Sequence, residues 1–243
     1  MRYGIFSDVH GNIEALTACI DALHDAGCER FACLGDIVGY GADPDPCVDI
    51  VRDVADIVVI GNHDAAVVGR HDPSHAHIAA QQAFAYSRKA LKDDNIGWLQ
   101  SLSYVHTDGD ICFCHGSPID AENFDYVFSL DKAATLNERF DTLSKLTFVG
   151  HSHLTTSFLV TPRLALQVSS PRFQIREGSK YVFNVGSVGQ PRDRDQRACC
   201  VVYDSDTSSV TFLRVEYDID SAAQKIVDAE LPPSFAERLF HGV

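Results

Sequence analysis

The chain has 243 residues, 45% of them hydrophobic, enough to fill a sizeable core and in keeping with one α/β domain over residues 1–243. Its 34 acidic against 20 basic residues leave a formal charge of −14, which repels polyanions and argues against a nucleic-acid groove. No apolar stretch approaches the roughly 20 residues of a membrane span, and the opening MRYGIFSD enters a strand pattern without the layout of a signal peptide; a cytoplasmic protein with no membrane partner is expected.

In chain order, short apolar runs alternate with helix-like segments over the first two-thirds, the pattern of βαβ units and a largely parallel arrangement. RYGIF reads as the first strand, followed by a helix with Ile13, Leu16, Ile20 and Leu23 on one face and Asn12 as its N-cap. FACL is the second strand, and the next helix is predicted to open with Asp45 as N-cap and Pro46 at its first position. DIVVI follows, then one or two helices between residues 76 and 101. DICFC, a helix over about 132–143 starting from Asp131, and LTFV complete this part. After residue 155 the pattern turns to β runs separated by turn residues: TSFLV, LALQV, RFQIR, YVFNV, ACCVVYD and SVTFLRVEY. DSDTSS reads as the hairpin loop between the last two, and the stretch from Asp220 reads as helix, broken at Pro232 and Pro233. The eight cysteines, at 19, 28, 33, 47, 112, 114, 199 and 200, form no CxxC pair and fall mostly in apolar runs, as reduced, buried small hydrophobes do.

The ends of the five early strands carry one kind of chemistry. RYGIFSDVHGN ends in Asp8 and His10, FACLGDIVGYG in Asp36, DIVVIGNHD in Asn62, His63 and Asp64, DICFCHGS in His115, and LTFVGHSHL in His151 and His153. Ligands of parallel sheets bind beyond the carboxyl ends of the strands, so these residues are expected to converge. Residues two apart in extended chain point to one side, which pairs Asp8 with His10 and His151 with His153. Imidazole, carboxylate and one amide oxygen, without thiolate, suit Mn, Fe, Zn or a similar divalent pair.

DxH, GD, GNHD, HG and GHxH in this order resemble the five-block signature of the calcineurin-like metallophosphoesterase superfamily. NVGSVGQPRDRDQRA further resembles a block in a small prokaryotic phosphodiesterase-like branch that includes some diadenosine tetraphosphate hydrolases. The likeness runs from Arg2 to about Tyr203. It implies a single domain with the four-layer αββα sandwich of two mixed β-sheets flanked by helices. It also implies one divalent metal ion on Asp8, His10, Asp36 and His153 and a second on Asp36, Asn62, His115 and His151, with Asp36 bridging. Mn is the first expectation, with Fe, Zn, Co or Ni as alternatives. Such ions, about 3.5–4 Å apart, share a hydroxide that attacks phosphorus in line.

The resemblance assigns His63 no metal; it implies a residue near the leaving-group oxygen that donates a proton or hydrogen bond. Asp64 either orients His63 or caps the following helix. Arg192 is a candidate for gripping phosphate oxygens through its guanidinium fork, with a solvated loop arginine as the other reading. His71, His75 and His77 either line the cleft mouth or are solvated. Tyr40 stands where the serine/threonine phosphatases of the superfamily carry a phosphate-gripping Arg, which argues against a dedicated phosphoprotein phosphatase. Val185 stands where the favoured branch commonly shows Pro, which bears on the path of the loop carrying Arg192.

The implied function is hydrolysis of a phosphodiester or nucleotide phosphoanhydride, so the partner is a small phosphorylated substrate. The alternatives are a phosphomonoesterase acting on small metabolites and a catalytically silent protein-interaction module with this fold.

Overall fold

The computed structural model describes residues 1–243. Its elements run β1 (Arg2–Phe6), α1 (Ile13–Asp25), β2 (Arg30–Cys33), α2 (Pro44–Val54), β3 (Ile57–Val58), α3 (Asn62–Val67), α4 (Ile78–Ala90), α5 (Asp93–Ser101), β4 (Val105–Asp108) and β5 (Ile111–Cys114). They continue with α6 (Leu130–Ala134), β6 (Leu146–Val149), β7 (Ser157–Val160), β8 (Ala165–Val168), β9 (Arg172–Gln174), β10 (Lys180–Asn184), β11 (Ala198–Asp204), β12 (Ser209–Val215), α7 (Ile219–Asp228) and α8 (Pro233–Leu239). No helix is long and apolar enough to cross a membrane.

The strands form two six-stranded sheets, ordered β3-β2-β1-β11-β12-β9 and β4-β5-β6-β10-β7-β8. Each is mixed. β1, β2 and β3 run parallel in the first sheet, β5, β6 and β10 in the second, and the remaining pairings are antiparallel. The five early strands are therefore divided between two sheets, three in one and two in the other.

Alternation along the strands produces the layers. Tyr3 and Ile5 of β1, Phe113 of β5, Phe148 of β6, Phe183 of β10 and Val201 of β11 point into one core between the sheets. The intervening residues face outward: Phe6 and Cys200 pack under α1 and α2, whereas Cys112, Cys114 and Val182 pack with Ala133 and Leu136. The result is the expected four-layer αββα sandwich. All eight cysteines are buried and unpaired.

Local chemistry explains where the elements begin. Asn12 caps α1, accepting the Ala15 N–H at 3.1 Å while its amide donates to the Gly189 carbonyl. The helix expected from Asp45 and Pro46 starts earlier, with Asp43 as N-cap and Pro44 at the first position. Asp45 is occupied elsewhere: it accepts the Lys92 N–H and the Asn95 amide, tying α2 to the start of α5. The helix expected from Asp131 begins at Leu130, capped by Ser129, and after Ala134 tightens into 3-10 geometry to Thr142 with non-helical Arg139 inside it. β4 has no counterpart among the expected strands.

Phe148 is fully buried and stacks on Phe113 and Phe183, with centroids 5.9 and 5.5 Å away, at the centre of the inter-sheet core. Phe148→Ala is expected to cost about 3–5 kcal/mol through lost burial and the cavity left behind. Thermal denaturation should read this as a fall in Tm of roughly 10 °C.

Candidate metal centre

β1, β2 and β3 of one sheet and β5 and β6 of the other end at the same place, and each delivers its polar residues there. β1 leads to Asp8 and His10, β2 to Asp36, β3 to the first turn of α3 with Asn62 and His63, β5 to His115, and β6 to His151 and His153. Direct hydrogen bonds fasten the two sheets at this edge: the His151 N–H donates to Asp8 Oδ2 at 3.1 Å, and His115 Nδ1 donates to the Leu34 carbonyl at 2.7 Å.

The backbone here is not extended. Asp8, His10, Asp36, His151 and His153 all have φ between 50° and 65°, a left-handed region that costs an L-residue about 1–2 kcal/mol. This corrects the pairing expected from an extended chain. Asp8 and His10 do share a cluster, but His151 and His153 diverge: His153 joins Asp8 and His10, whereas His151 joins Asp36 and His115. A further group joins His10, Asp36 and His63.

Two carboxylates are almost wholly excluded from water, Asp8 at 0% and Asp36 at 1% exposure, so a compensating cation is required. Asp8 Oδ1 has no hydrogen-bond partner and lies 3.2 Å from His153 Nε2 and 3.8 Å from His10 Nε2. Asp36 Oδ1 accepts the His63 N–H at 2.8 Å, leaving Oδ2 to face both clusters, 3.8 Å from His10 Nε2 and 3.2 Å from His115 Nε2.

The histidines are oriented from behind. His10, His115 and His153 each place Nδ1 against a backbone carbonyl, of Val38, Leu34 and Gln190, at 3.1, 2.7 and 2.5 Å. A carbonyl only accepts, so each Nδ1 carries a proton, and each ring in its neutral form turns its Nε2 lone pair inward. His10 Nε2 then meets His153 Nε2 at 3.1 Å, and His115 Nε2 meets Asn62 Oδ1 at 3.1 Å. Two acceptors at that distance call for a proton or a metal cation between them.

Protons can meet part of this need. Burial opposes charge on His115, but Asp36 and Asp8 outweigh it and raise its pKa to about 9. Burial likewise opposes ionisation of Asp8 and Asp36, yet the facing histidines, His153 for Asp8 and His115 for Asp36, hold both carboxyls well below the usual range. His10, in contrast, is kept neutral by burial and by His63 and His153. Carboxylate, imidazole and amide oxygen aimed inward fit divalent ions.

The other expected residues are also located. His63 is 6% exposed, with its ring 4.7 Å from His10, 4.5 Å from Tyr40 and 4.8 Å from Phe84. Burial lowers its pKa to about 4, Asp36 acting in the opposite direction. Its Nδ1 packs against Gly39, at φ 90°, where a Cβ would lie 2.3 Å away. Asp64 does not bond to His63: one oxygen accepts the Ile37 and Val38 N–H groups and the other the Gly61 N–H. It thus caps α3 and ties the loop carrying Asp36 to it.

Arg192 lies at the cleft, donating to Gln190 Oε1 at 2.9 Å with its guanidinium carbon 5.7 Å from the Tyr40 ring centroid; its Nε is buried without a partner. Val185 donates its N–H to the Val149 carbonyl at 2.8 Å, a bond Pro would lack, and so continues the pairing of β10 with β6. The three loop histidines separate. His71 reaches Phe124, which borders His115, whereas His75 is in an exposed 3-10 turn and His77 caps α4. Tyr126, stacked on His151 at 3.8 Å, has no counterpart in the sequence reading, because no motif or period connects the two.

The calcineurin-like phosphoesterase superfamily domain matches residues 1–208. The chain belongs to this superfamily. It is 35% identical over 242 residues to an uncharacterised protein of Methanocaldococcus jannaschii, across 98% of this chain and 97% of that one. A metallophosphoesterase from Sphaerobacter thermophilus is similar in structure with a TM-score of 0.84 at 36% identity, covering 100% of this chain and 99% of that chain. A hypothetical protein from Pyrococcus horikoshii OT3 shares the fold, with a TM-score of 0.80 at 20% identity and coverage of 100% and 98%.

A site that needs cations should be stabilised by them. At 100 times its Kd, one divalent ion is expected to add about 2.7 kcal/mol, read as a rise in Tm that a chelator reverses. Gly61→Ala should lose most of this rise, since a Cβ there would lie 2.1 Å from Asp36 Oδ1 and displace the carboxylate.

Proposed function

We propose that the protein is a metal-dependent phosphoesterase that hydrolyses a small phosphodiester or nucleotide phosphoanhydride with two divalent ions, manganese first among them. In this reading residues 1–243 act as one domain. Asp8, His10, Asp36 and His153 hold one ion, and Asp36, Asn62, His115 and His151 the other. The observation that carries it is Asp36 Oδ2, which faces the histidines of both clusters while Oδ1 is held by the His63 N–H. Bound there, the pair would acidify water near neutral pH and neutralise charge at phosphorus.

The remaining work falls to side chains. His63 is fixed at the start of α3 and wedged by Tyr40 and Phe84, next to His10 and Asp36. Its role is to hold a proton or hydrogen bond toward the leaving-group oxygen. Because burial keeps the ring neutral, it donates as a neutral imidazole until phosphate charge favours protonation. Arg192 grips a non-bridging phosphate oxygen; its unpartnered Nε and its position against Tyr40 support this. In a chain of charge −14, such local cations are what draw an anionic substrate to the cleft.

The test is a panel of diesters, monoesters, dinucleoside polyphosphates and cyclic nucleotides assayed with Mn, Zn, Fe, Co, Ni and Mg in turn. Mn-stimulated hydrolysis of bis-p-nitrophenyl phosphate is expected; a metal-loaded protein inactive on the whole panel overturns the proposal. His63→Ala should retain its metal content, measured by elemental analysis, while kcat falls roughly 10²- to 10⁴-fold.

A further inference from the structure

The four histidines of the two proposed ligand sets are not held alike. His10, His115 and His153 are each locked by a hydrogen bond from Nδ1 to a backbone carbonyl. The His151 ring has no such bond. It lies face to face with Tyr126, ring centroids 3.8 Å apart and planes 13° from parallel, with His115 at 4.9 Å.

The chain is built to hold Tyr126 there. The preceding carbonyl, of Asp125, accepts the Ser117 N–H at 2.7 Å, and the following one, of Val127, accepts the amide of fully buried Asn184 at 3.1 Å. Phe124 and Val127 are buried on either side, and Phe128 meets the Tyr126 ring edge-on at 5.7 Å. Tyr126 as a residue remains 42% exposed, so core packing does not account for its placement.

We propose that Tyr126 is the positioning residue for His151, doing by stacking what backbone carbonyls do for the other three histidines, and that it sets the affinity of the second metal position. This rests on the two-metal reading above. A metal-bound imidazole must keep its ring plane fixed, and loss of a group that orients a ligand typically weakens metal binding by about 10- to 100-fold. A planar ring is needed for this, and the hydroxyl is not.

Chelator-stripped wild type, Tyr126→Ala, Tyr126→Phe and Tyr126→Leu would be titrated with Mn(II) by calorimetry, with electron paramagnetic resonance reporting the exchange-coupled pair. Wild type and Tyr126→Phe are expected to bind two ions and show the coupled signal. Tyr126→Ala and Tyr126→Leu should bind the first ion normally and the second at least about tenfold more weakly, losing the coupled signal at equal Mn(II). Unchanged affinity for the second ion in Tyr126→Ala, or in Tyr126→Leu, where bulk remains without a ring, overturns the Tyr126 assignment alone. A wild type that takes up only one ion overturns the two-metal reading, and this inference with it.

Discussion

Two carboxylates, Asp8 and Asp36, sit almost wholly out of water at the meeting edge of two sheets, and most of the local structure answers that constraint. A buried ionised carboxylate is tolerable only when paired or bound to a cation. Each has one oxygen held by a backbone N–H, from His151 to Asp8 and from His63 to Asp36, and one turned toward imidazoles. That division fixes the carboxylate planes before any ion arrives. It also makes both residues cross-links: Asp8 joins β1 to the end of β6, and Asp36 joins the end of β2 to α3.

Holding these groups has a backbone cost that the surrounding structure offsets. Five of the clustered residues occupy left-handed φ, an arrangement that persists only when neighbouring bonds over-determine it. Those bonds are present. Asp64 gathers three N–H groups from the Asp36 loop and the start of α3, and the Asp8 carbonyl accepts from both Ser187 Oγ and the Gly189 N–H. The segment from Asn184 to Gln190 thus does two jobs: it grips the turn after β1, and through the Gln190 carbonyl it orients His153. This gives a physical role to a block whose likeness to a prokaryotic branch was evident in the sequence.

The convergence of the polar residues was legible because each follows an apolar run, and strand ends can be read from hydrophobic pattern. Their pairing was not legible from the strand period; only the family resemblance divided His151 from His153. A period of two assumes extended backbone, and His151 and His153 depart from it at φ 65° and 58°, which turns their rings to different clusters. β4 escaped notice because Val105–Asp108 is an edge strand with two exposed residues, so it carries no alternation to read. The start of α2 was misplaced because two Asp-Pro pairs compete there, and tertiary bonds from Lys92 and Asn95 claim the second aspartate. Tyr126 was beyond reach for a different reason: its partner is set by the packing of a loop on β10, through Asn184.

With Tyr40 rather than a cation in the loop after β2, the cationic charge of the cleft comes from elsewhere. An arginine after β2 would bring its charge from the same loop as Asp36, beside His63. Tyr40 instead packs its ring against His10 and His63, and Arg192 comes to it from the loop between β10 and β11. The aromatic face attracts the guanidinium, and the Gln190 side chain fixes one of its nitrogens, so the cation is aimed rather than free. Gln190 also fixes His153 through its carbonyl. In the proposed assignment, phosphate binding and one metal position therefore meet at a single residue, the side chain of Gln190 holding Arg192 and its backbone carbonyl holding His153.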